Sequence, residues 1–218
     1  MDKDKLANKI AGKSVSRRGN EFTFKELAPG IHVYGNIWPE SMEFMKKLED
    51  THQFDREDYY DEEIGKKAST CWVYHNEDMA DAFEEVVDSY LFMWDLGPLT
   101  REAFRITKFE DNEFFSVHPD DSYGTPRTAS FVYYPNDNYE GGELEFVHFG
   151  LKYKPKAGEL LCFPSGYSYQ HKIHKKTGGD TRYTVVFFAC EISQKERDAR
   201  METLEFPYQP KLEYILRK

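Results

Sequence analysis

Three features in the second half of the chain have the residue types and spacing for metal chemistry. His118-Pro119-Asp120 places an imidazole and a carboxylate two positions apart. His171 follows 53 residues after His118, and Arg182 comes 11 residues later with Thr184 two beyond it. In an extended strand, side chains at i and i+2 share a face, so His118 and Asp120 can reach one ion while Asp121 turns away. A histidine from a distant strand completes a 2-His-1-carboxylate face with open positions, the arrangement suited to non-haem Fe(II) and O2. By the same alternation Arg182 and Thr184 share a face. A guanidinium beside a hydroxyl holds a carboxylate by a bidentate pair and one further hydrogen bond. The pattern predicts a cosubstrate that chelates the iron and anchors a carboxylate on Arg182.

Neighbouring residues compete for these roles. His174 lies three residues past His171, so in a regular strand it faces the other way, and it fits a basic surface turn with Lys175 and Lys176. Asp121 reads as a turn residue. Arg127 reads as the structural ion-pair partner of an acidic loop or as a substrate contact. Tyr123 and Tyr134 read as pocket walls or strand packing, and Glu143 as part of a Gly-Gly-Glu turn.

The elements that must position these groups are mostly strands. Strand-like runs cover Arg105–Phe109, Phe114–Val117, Thr128–Tyr134, Leu144–Val147, Leu160–Phe163, Tyr167–Ile173 and Arg182–Ile192. Turn chemistry separates them at Pro135-Asn136-Asp137-Asn138, Gly141-Gly142, Lys156-Ala157-Gly158, Pro164-Ser165-Gly166 and Gly178-Gly179-Asp180. Short strands spaced in this way predict a sandwich or jelly roll. Upstream, Gly30–Gly35 and Thr70–Tyr74 read as strands. Pro39-Glu40-Ser41 opens a helix with Met42, Met45 and Leu48 at helical spacing. Asn76 caps a second helix whose stripe is Met79, Phe83, Val86, Val87, Tyr90 and Leu91, ending near Gly97-Pro98. Asp55 to Glu63 is acidic and reads as an exposed loop, with 55–67 a candidate lid. Residues 1–20 read as a charged arm or short helix, and Gln194 to Leu204 as a helix followed by an extended tail.

Composition bounds the function. A chain of 218 residues with 39% hydrophobic and 16% aromatic content suits one domain with a sizeable core. The expected division is 1–100 helical support and N-terminal strands, 101–192 a catalytic core, and 193–218 a C-terminal helix and tail. A net charge of −10 disfavours nucleic acid and anionic lipid as partners. No apolar run approaches a bilayer span and no secretory core follows Met1-Asp2-Lys3-Asp4-Lys5, so the chain is expected to be cytoplasmic. Cys71, Cys162 and Cys190 lack CxxC spacing, and Cys162 and Cys190, in apolar strand-like runs, read as buried core thiols.

With these motifs in order, the segment resembles the 2-oxoglutarate/Fe(II)-dependent dioxygenases, in particular the prolyl 4-hydroxylase-like branch. The resemblance covers about residues 104–190. It rests on His118-Pro119-Asp120, Arg127 leading to Tyr134-Pro135-Asn136, and Gly141-Gly142-Glu143-Leu144-Glu145-Phe146. It continues through Pro155-Lys156-Ala157-Gly158-Glu159-Leu160 into Phe163-Pro164-Ser165, and ends on His171 with Arg182. It implies a mainly β fold with flanking helices: a double-stranded β-helix, or jelly roll, with N-terminal helices packed on its major sheet. It implies His118, Asp120 and His171 as iron ligands and Arg182 as the partner of the distal 2-oxoglutarate carboxylate, with Thr184 expected to aid it from the shared strand face. Fe(II) and 2-oxoglutarate are the implied cofactor and cosubstrate, with ascorbate a candidate reductant.

The implied reaction is hydroxylation of a C–H bond with O2, releasing succinate and CO2. The carboxylate of Asp120 favours hydroxylation, because halogenating members of the wider superfamily lack it. The implied substrate is a prolyl residue in a peptide or protein; a free amino acid or other small molecule is the alternative. Two positions depart from the prolyl hydroxylase pattern. Phe109 stands where many members have a cosubstrate-binding Tyr, and Arg182 where they often have Lys. The competing class is a non-catalytic jelly-roll binding module, against which Arg182 at anchor spacing argues.

Overall fold

The computed structural model describes residues 14–15, 21–59, 65–74, 76–96, 99–122 and 124–191, together with 195 and 199. The expected N-terminal arm, Tyr123 and the C-terminal helix and tail fall wholly or almost wholly outside these residues, whereas the second helix ends within them, at Met93 rather than near Gly97-Pro98.

In chain order the strands are β1 Ser14–Val15, β2 Glu21–Ala28, β3 Ile31–Gly35, β4 Asp55–Tyr59, β5 Lys66–Val73, β6 Thr100–Arg101, β7 Phe104–Phe109 and β8 Phe114–His118. They continue as β9 Ala129–Tyr134, β10 Tyr139–Gly141, β11 Leu144–Phe146, β12 Leu151–Tyr153, β13 Glu159–Pro164, β14 His171–Ile173, β15 Lys176–Gly179 and β16 Arg182–Cys190. Two α-helices, α1 Ser41–Thr51 and α2 Glu77–Met93, lie among the described residues. Every strand pairing among the described residues is antiparallel. One sheet follows the path β1-β2-β3-β13-β9-β16-β7-β5-β8-β14-β11-β12, and β10 with β15 forms a separate two-stranded ribbon.

Alternation along the central strands creates two apolar layers. Phe131 and Tyr133 of β9, with Val185 and Phe187 of β16, face the layer that holds Met45, Leu48, Phe83 and Tyr90. Phe83 of α2 stacks on Phe187 at 5.3 Å between ring centroids and lies 5.0 Å from Tyr133. Val132 and Tyr134 of β9 turn the other way, into a second layer with Leu161, Phe163, Leu144 and Phe146. Each fully buried aromatic or branched side chain in these layers stabilises the fold by roughly 1.5–3 kcal/mol.

The helices begin where the sequence places them. The Asn76 side chain accepts a hydrogen bond from the Met79 amide at 2.9 Å and so caps α2. The three cysteines are buried thiols outside any disulfide. No helix among the described residues is long and apolar enough to cross a membrane.

Two expectations need correction. Asp55–Tyr59 is a strand rather than a loop, paired with β5 from Asp55 opposite Thr70 to Tyr59 opposite Lys66. Its charges are tolerated because β4 pairs on one side only and remains largely open to water. The run Tyr167–Ile173 is not one strand: a 3-10 turn covers Tyr167–Tyr169 before β14 starts at His171.

Candidate active site

His118 is the last residue of β8 and His171 the first of β14, and the two are opposite one another in the antiparallel pairing. Their ring centroids lie 4.5 Å apart. Asp120 is past the strand end, beyond Pro119. The Ser165 carbonyl, which follows β13, accepts the amides of Asp120 at 3.1 Å and Asp121 at 3.0 Å and so turns the carboxylate inward. Strand alternation alone therefore does not bring His118 and Asp120 together; the Ser165 anchor completes the convergence.

One ligand atom from each of His118, Asp120 and His171 lies within 4.8 Å of the other two, the one such cluster among the described residues. Each imidazole has its Nδ1 against a main-chain carbonyl, Ser116 at 2.8 Å for His118 and Tyr169 at 3.1 Å for His171. A carbonyl only accepts, so Nδ1 carries the hydrogen and Nε2 presents its lone pair. The two Nε2 atoms each stand 3.7 Å from an Asp120 oxygen, His118 from Oδ1 and His171 from Oδ2.

The electrostatics favour this state. Burial, reinforced by the charge of His171, pushes the His118 imidazole down to about 3, so it is neutral at physiological pH. For Asp120, burial pulls upward, but His171, His118, Arg127 and a hydrogen bond from Ser130 together hold it below the usual carboxylate range. Ser130 Oγ donates to Asp120 Oδ2 at 2.7 Å and in turn lies 2.7 Å from Ser165 Oγ. Two imidazole nitrogens and an ionised carboxylate make up the donor set that divalent iron takes.

Arg182 is fully buried on β16. Its Nε donates to the Gly142 carbonyl at 3.0 Å, yet neither Nη1 nor Nη2 has a hydrogen-bond partner. Its guanidinium carbon lies 4.9 Å from the Phe109 ring centroid, 5.4 Å from that of Tyr134 and 5.7 Å from that of Tyr139. The hydroxyls of Tyr134 and Tyr139 are also buried without a partner. Burial raises both phenols, and the guanidinium charge together with its polar contact to each hydroxyl works against that rise. Gly142 has φ +62°, and a Cβ there would stand 2.8 Å from Arg182 Cδ, so the turn needs glycine for both its backbone and its closeness. Buried donors left open in this number mark a place for an anion.

The remaining candidates separate clearly. Thr184 is buried two residues from Arg182, and its hydroxyl donates to the Thr107 carbonyl at 3.4 Å. His174 turns outward and pairs with Glu145 at 2.6 Å. Asp121 accepts the Arg127 amide at 3.0 Å. Arg127 itself holds Glu102. Ser130, Ser165 and Tyr139 were not anticipated. A hydroxyl at a fully buried strand position, as in Ala129-Ser130-Phe131, was the available signal for Ser130.

The family profile described as the 2OG-Fe(II) oxygenase superfamily matches residues 104–190, the segment that carries all four groups. Residues 104–190 belong to that superfamily. This oxygenase uses Fe(II) and 2-oxoglutarate. Its clustered donors and the open guanidinium of Arg182 fit the two groups.

Solved structures share its fold at low sequence identity. A prolyl hydroxylase from Trichoplax adhaerens, in complex with a hypoxia inducible factor oxygen degradation domain peptide fragment, is 17% identical with a TM-score of 0.62; the match covers 90% of this chain and 93% of that one. A Pseudomonas putida prolyl-4-hydroxylase is 14% identical with a TM-score of 0.61, covering 88% and 100%. The viral collagen prolyl hydroxylase of Paramecium Bursaria Chlorella virus-1, as its 2OG complex, is 14% identical with a TM-score of 0.56, covering 73% and 95%. No curated protein sequence matches the chain.

Proposed function

We propose that this oxygenase hydroxylates a C–H bond of a prolyl residue in a peptide or protein, with succinate and CO2 as co-products. The single observation that carries the oxygenase reading of the site is the buried guanidinium of Arg182, with both Nη atoms lacking a partner. A binding module with an incidental metal cluster has no use for that unsatisfied charge. The prolyl choice draws support from the shared fold with three prolyl hydroxylases, one of them holding a peptide fragment.

In this reading His118, Asp120 and His171 hold the iron, and Arg182 takes the distal carboxylate of 2-oxoglutarate, with Thr184 beside it. The core is a double-stranded β-helix whose major sheet is supported by the N-terminal helices, within one domain. O2 is the oxidant: bound iron and 2-oxoglutarate would let one of its oxygen atoms enter the substrate C–H bond while the other enters succinate as CO2 is lost. The chain supplies position. The Ser116 and Tyr169 carbonyls fix both imidazoles with Nε2 inward, Ser130 orients the Asp120 carboxylate, and Gly142 fixes the Arg182 side chain. The apolar walls Phe146 and Phe163, 5.6 and 4.9 Å from the His171 ring, keep water from its sides.

The test is incubation with Fe(II), 2-oxoglutarate and a pool of proline-containing peptides, followed by mass spectrometry. The expected result is a gain of one oxygen on proline in proportion to succinate. Oxygen gained only by free amino acids or other small molecules would overturn the prolyl assignment. A His118→Ala or Asp120→Ala variant that decarboxylates 2-oxoglutarate at the wild-type rate would overturn the ligand assignment.

A further inference from the structure

We infer that Tyr139 is a second phenolic anchor for the distal carboxylate of the cosubstrate, supplying from the β10–β15 ribbon a donor that β7 does not provide at Phe109. The inference rests on the reading of Arg182 as the partner of that carboxylate.

Three rings surround the Arg182 guanidinium, and only two carry a hydroxyl. Phe109, opposite Arg182 in the β7–β16 pairing, contributes a ring face and no donor. Tyr134 and Tyr139 each place a buried, unpartnered hydroxyl in the neighbourhood of two buried, unpartnered guanidinium nitrogens. A carboxylate offers two oxygens with about four lone-pair sites. Two Nη groups and two phenols match that capacity, whereas Arg182 and Tyr134 alone leave part of it open. Such a set is costly without an acceptor and strong with one, because bonds to an ionised partner gain most in a dry site.

Tyr139 is also held in place from outside the pocket. It lies opposite Gly179 in the ribbon, where a Cβ would come within 2.8 Å of the Tyr139 Cα. Lys154 Nζ donates to the Tyr139 carbonyl at 2.9 Å and sits 3.6 Å from the centroid of its ring. The ring is thus pinned between a surface cation and the buried guanidinium.

The experiment measures binding by calorimetry to the full chain loaded with Mn(II). Two ligands are compared, 2-oxoglutarate and 2-oxobutyrate, which has the same chelating end and no distal carboxylate. Tyr139→Phe is expected to weaken 2-oxoglutarate by about tenfold or more and to leave 2-oxobutyrate unchanged. Phe109→Tyr combined with Tyr139→Phe is expected to recover most of the loss, by returning a phenol to the same guanidinium from β7. Unchanged 2-oxoglutarate affinity in Tyr139→Phe, with a large loss in Arg182→Met, would overturn the role of Tyr139 and leave the Arg182 anchor standing. Equal weakening of both ligands in Tyr139→Phe would also overturn it, marking the residue as packing. Wild-type affinity in Arg182→Met would overturn the anchor reading itself.

Discussion

Arg127 grips Glu102 with two parallel hydrogen bonds, Nε to Oε1 at 3.0 Å and Nη2 to Oε2 at 2.9 Å. The remaining arm, Nη1, reaches the main-chain carbonyl of Asp120 at 3.2 Å, and the guanidinium lies 3.6 Å from the Phe188 ring centroid. Both side chains are largely buried. Replacing Arg127 by Met keeps the apolar stem and leaves a buried carboxylate without its guanidinium. The expected cost is about 3–5 kcal/mol, read by urea unfolding. Metal affinity should fall as well, because the loop that carries Asp120 loses its brace.

Ser130 tests the orientation of the carboxylate more gently. Ser130→Ala removes the 2.7 Å bond to Asp120 Oδ2 without altering the strand. Outer bonds of this kind are worth about 10- to 100-fold in metal affinity. A competitive Mn(II) titration should show a loss in that range, while thermal unfolding of the apoprotein moves little.

The two assigned histidines and the excluded one should behave oppositely. His118→Ala and His171→Ala are expected to abolish metal-dependent succinate formation. His174→Ala, which loses only a surface contact with Glu145, should retain it. Chelation by EDTA should stop the wild type, and added Fe(II) should restore it.

Thr184 is expected to matter less than Tyr134. Its hydroxyl is engaged with the Thr107 carbonyl, whereas that of Tyr134 has no partner. Thr184→Val should raise the KM for 2-oxoglutarate by a smaller factor than Tyr134→Phe, with kcat near wild type in both. A larger effect at Thr184 would show that its hydroxyl swings from Thr107 to the cosubstrate.

Lys66 predicts a pH dependence of stability. It is buried and bonded to Glu57 and, at 3.3 Å, to Thr70 Oγ1. Burial, reinforced by the charge of Arg105, pushes its ammonium down to about 7 from an ordinary 10.5. Between these values the unfolded chain binds more protons than the folded chain, so stability rises with pH across that window. Below about pH 7 both states are charged and the burial penalty is complete. Urea unfolding of wild type and Lys66→Met at pH 7, 8 and 9 should show the wild type gaining on the variant, by up to about 1.4 kcal/mol per pH unit. A constant difference would mean that Lys66 titrates as an ordinary lysine.

Strand β16 was legible because its apolar residues fill both faces of a covered sheet, which leaves Arg182 and Thr184 conspicuous. His118, Asp120 and His171 were legible instead from the His-Pro-Asp spacing and from a second histidine at a fixed distance before Arg182. Strand β4 was not legible, because Asp-Arg-Glu-Asp-Tyr has no β preference and is held by its backbone pairing to β5. Ser130 and Ser165 escaped notice because their contact joins residues 35 apart in the sequence through two fixed backbones. Tyr139 lies in a three-residue strand between turn signals, and only its closeness to Arg182 in space gives its hydroxyl a meaning.

Strand β16 carries both the charge and the apolar floor of the molecule. Arg182 and Thr184 point one way, while Val185 and Phe187 join the layer of the helices. Deleting a single residue within this strand would exchange the two sets, driving a guanidinium into the helix layer and Phe187 toward the pocket. Insertions and deletions that this oxygenase can survive are therefore confined to its connecting segments. The register of β16 thus decides which face of the sheet holds Arg182, and no change of loop length can compensate for a slip within the strand.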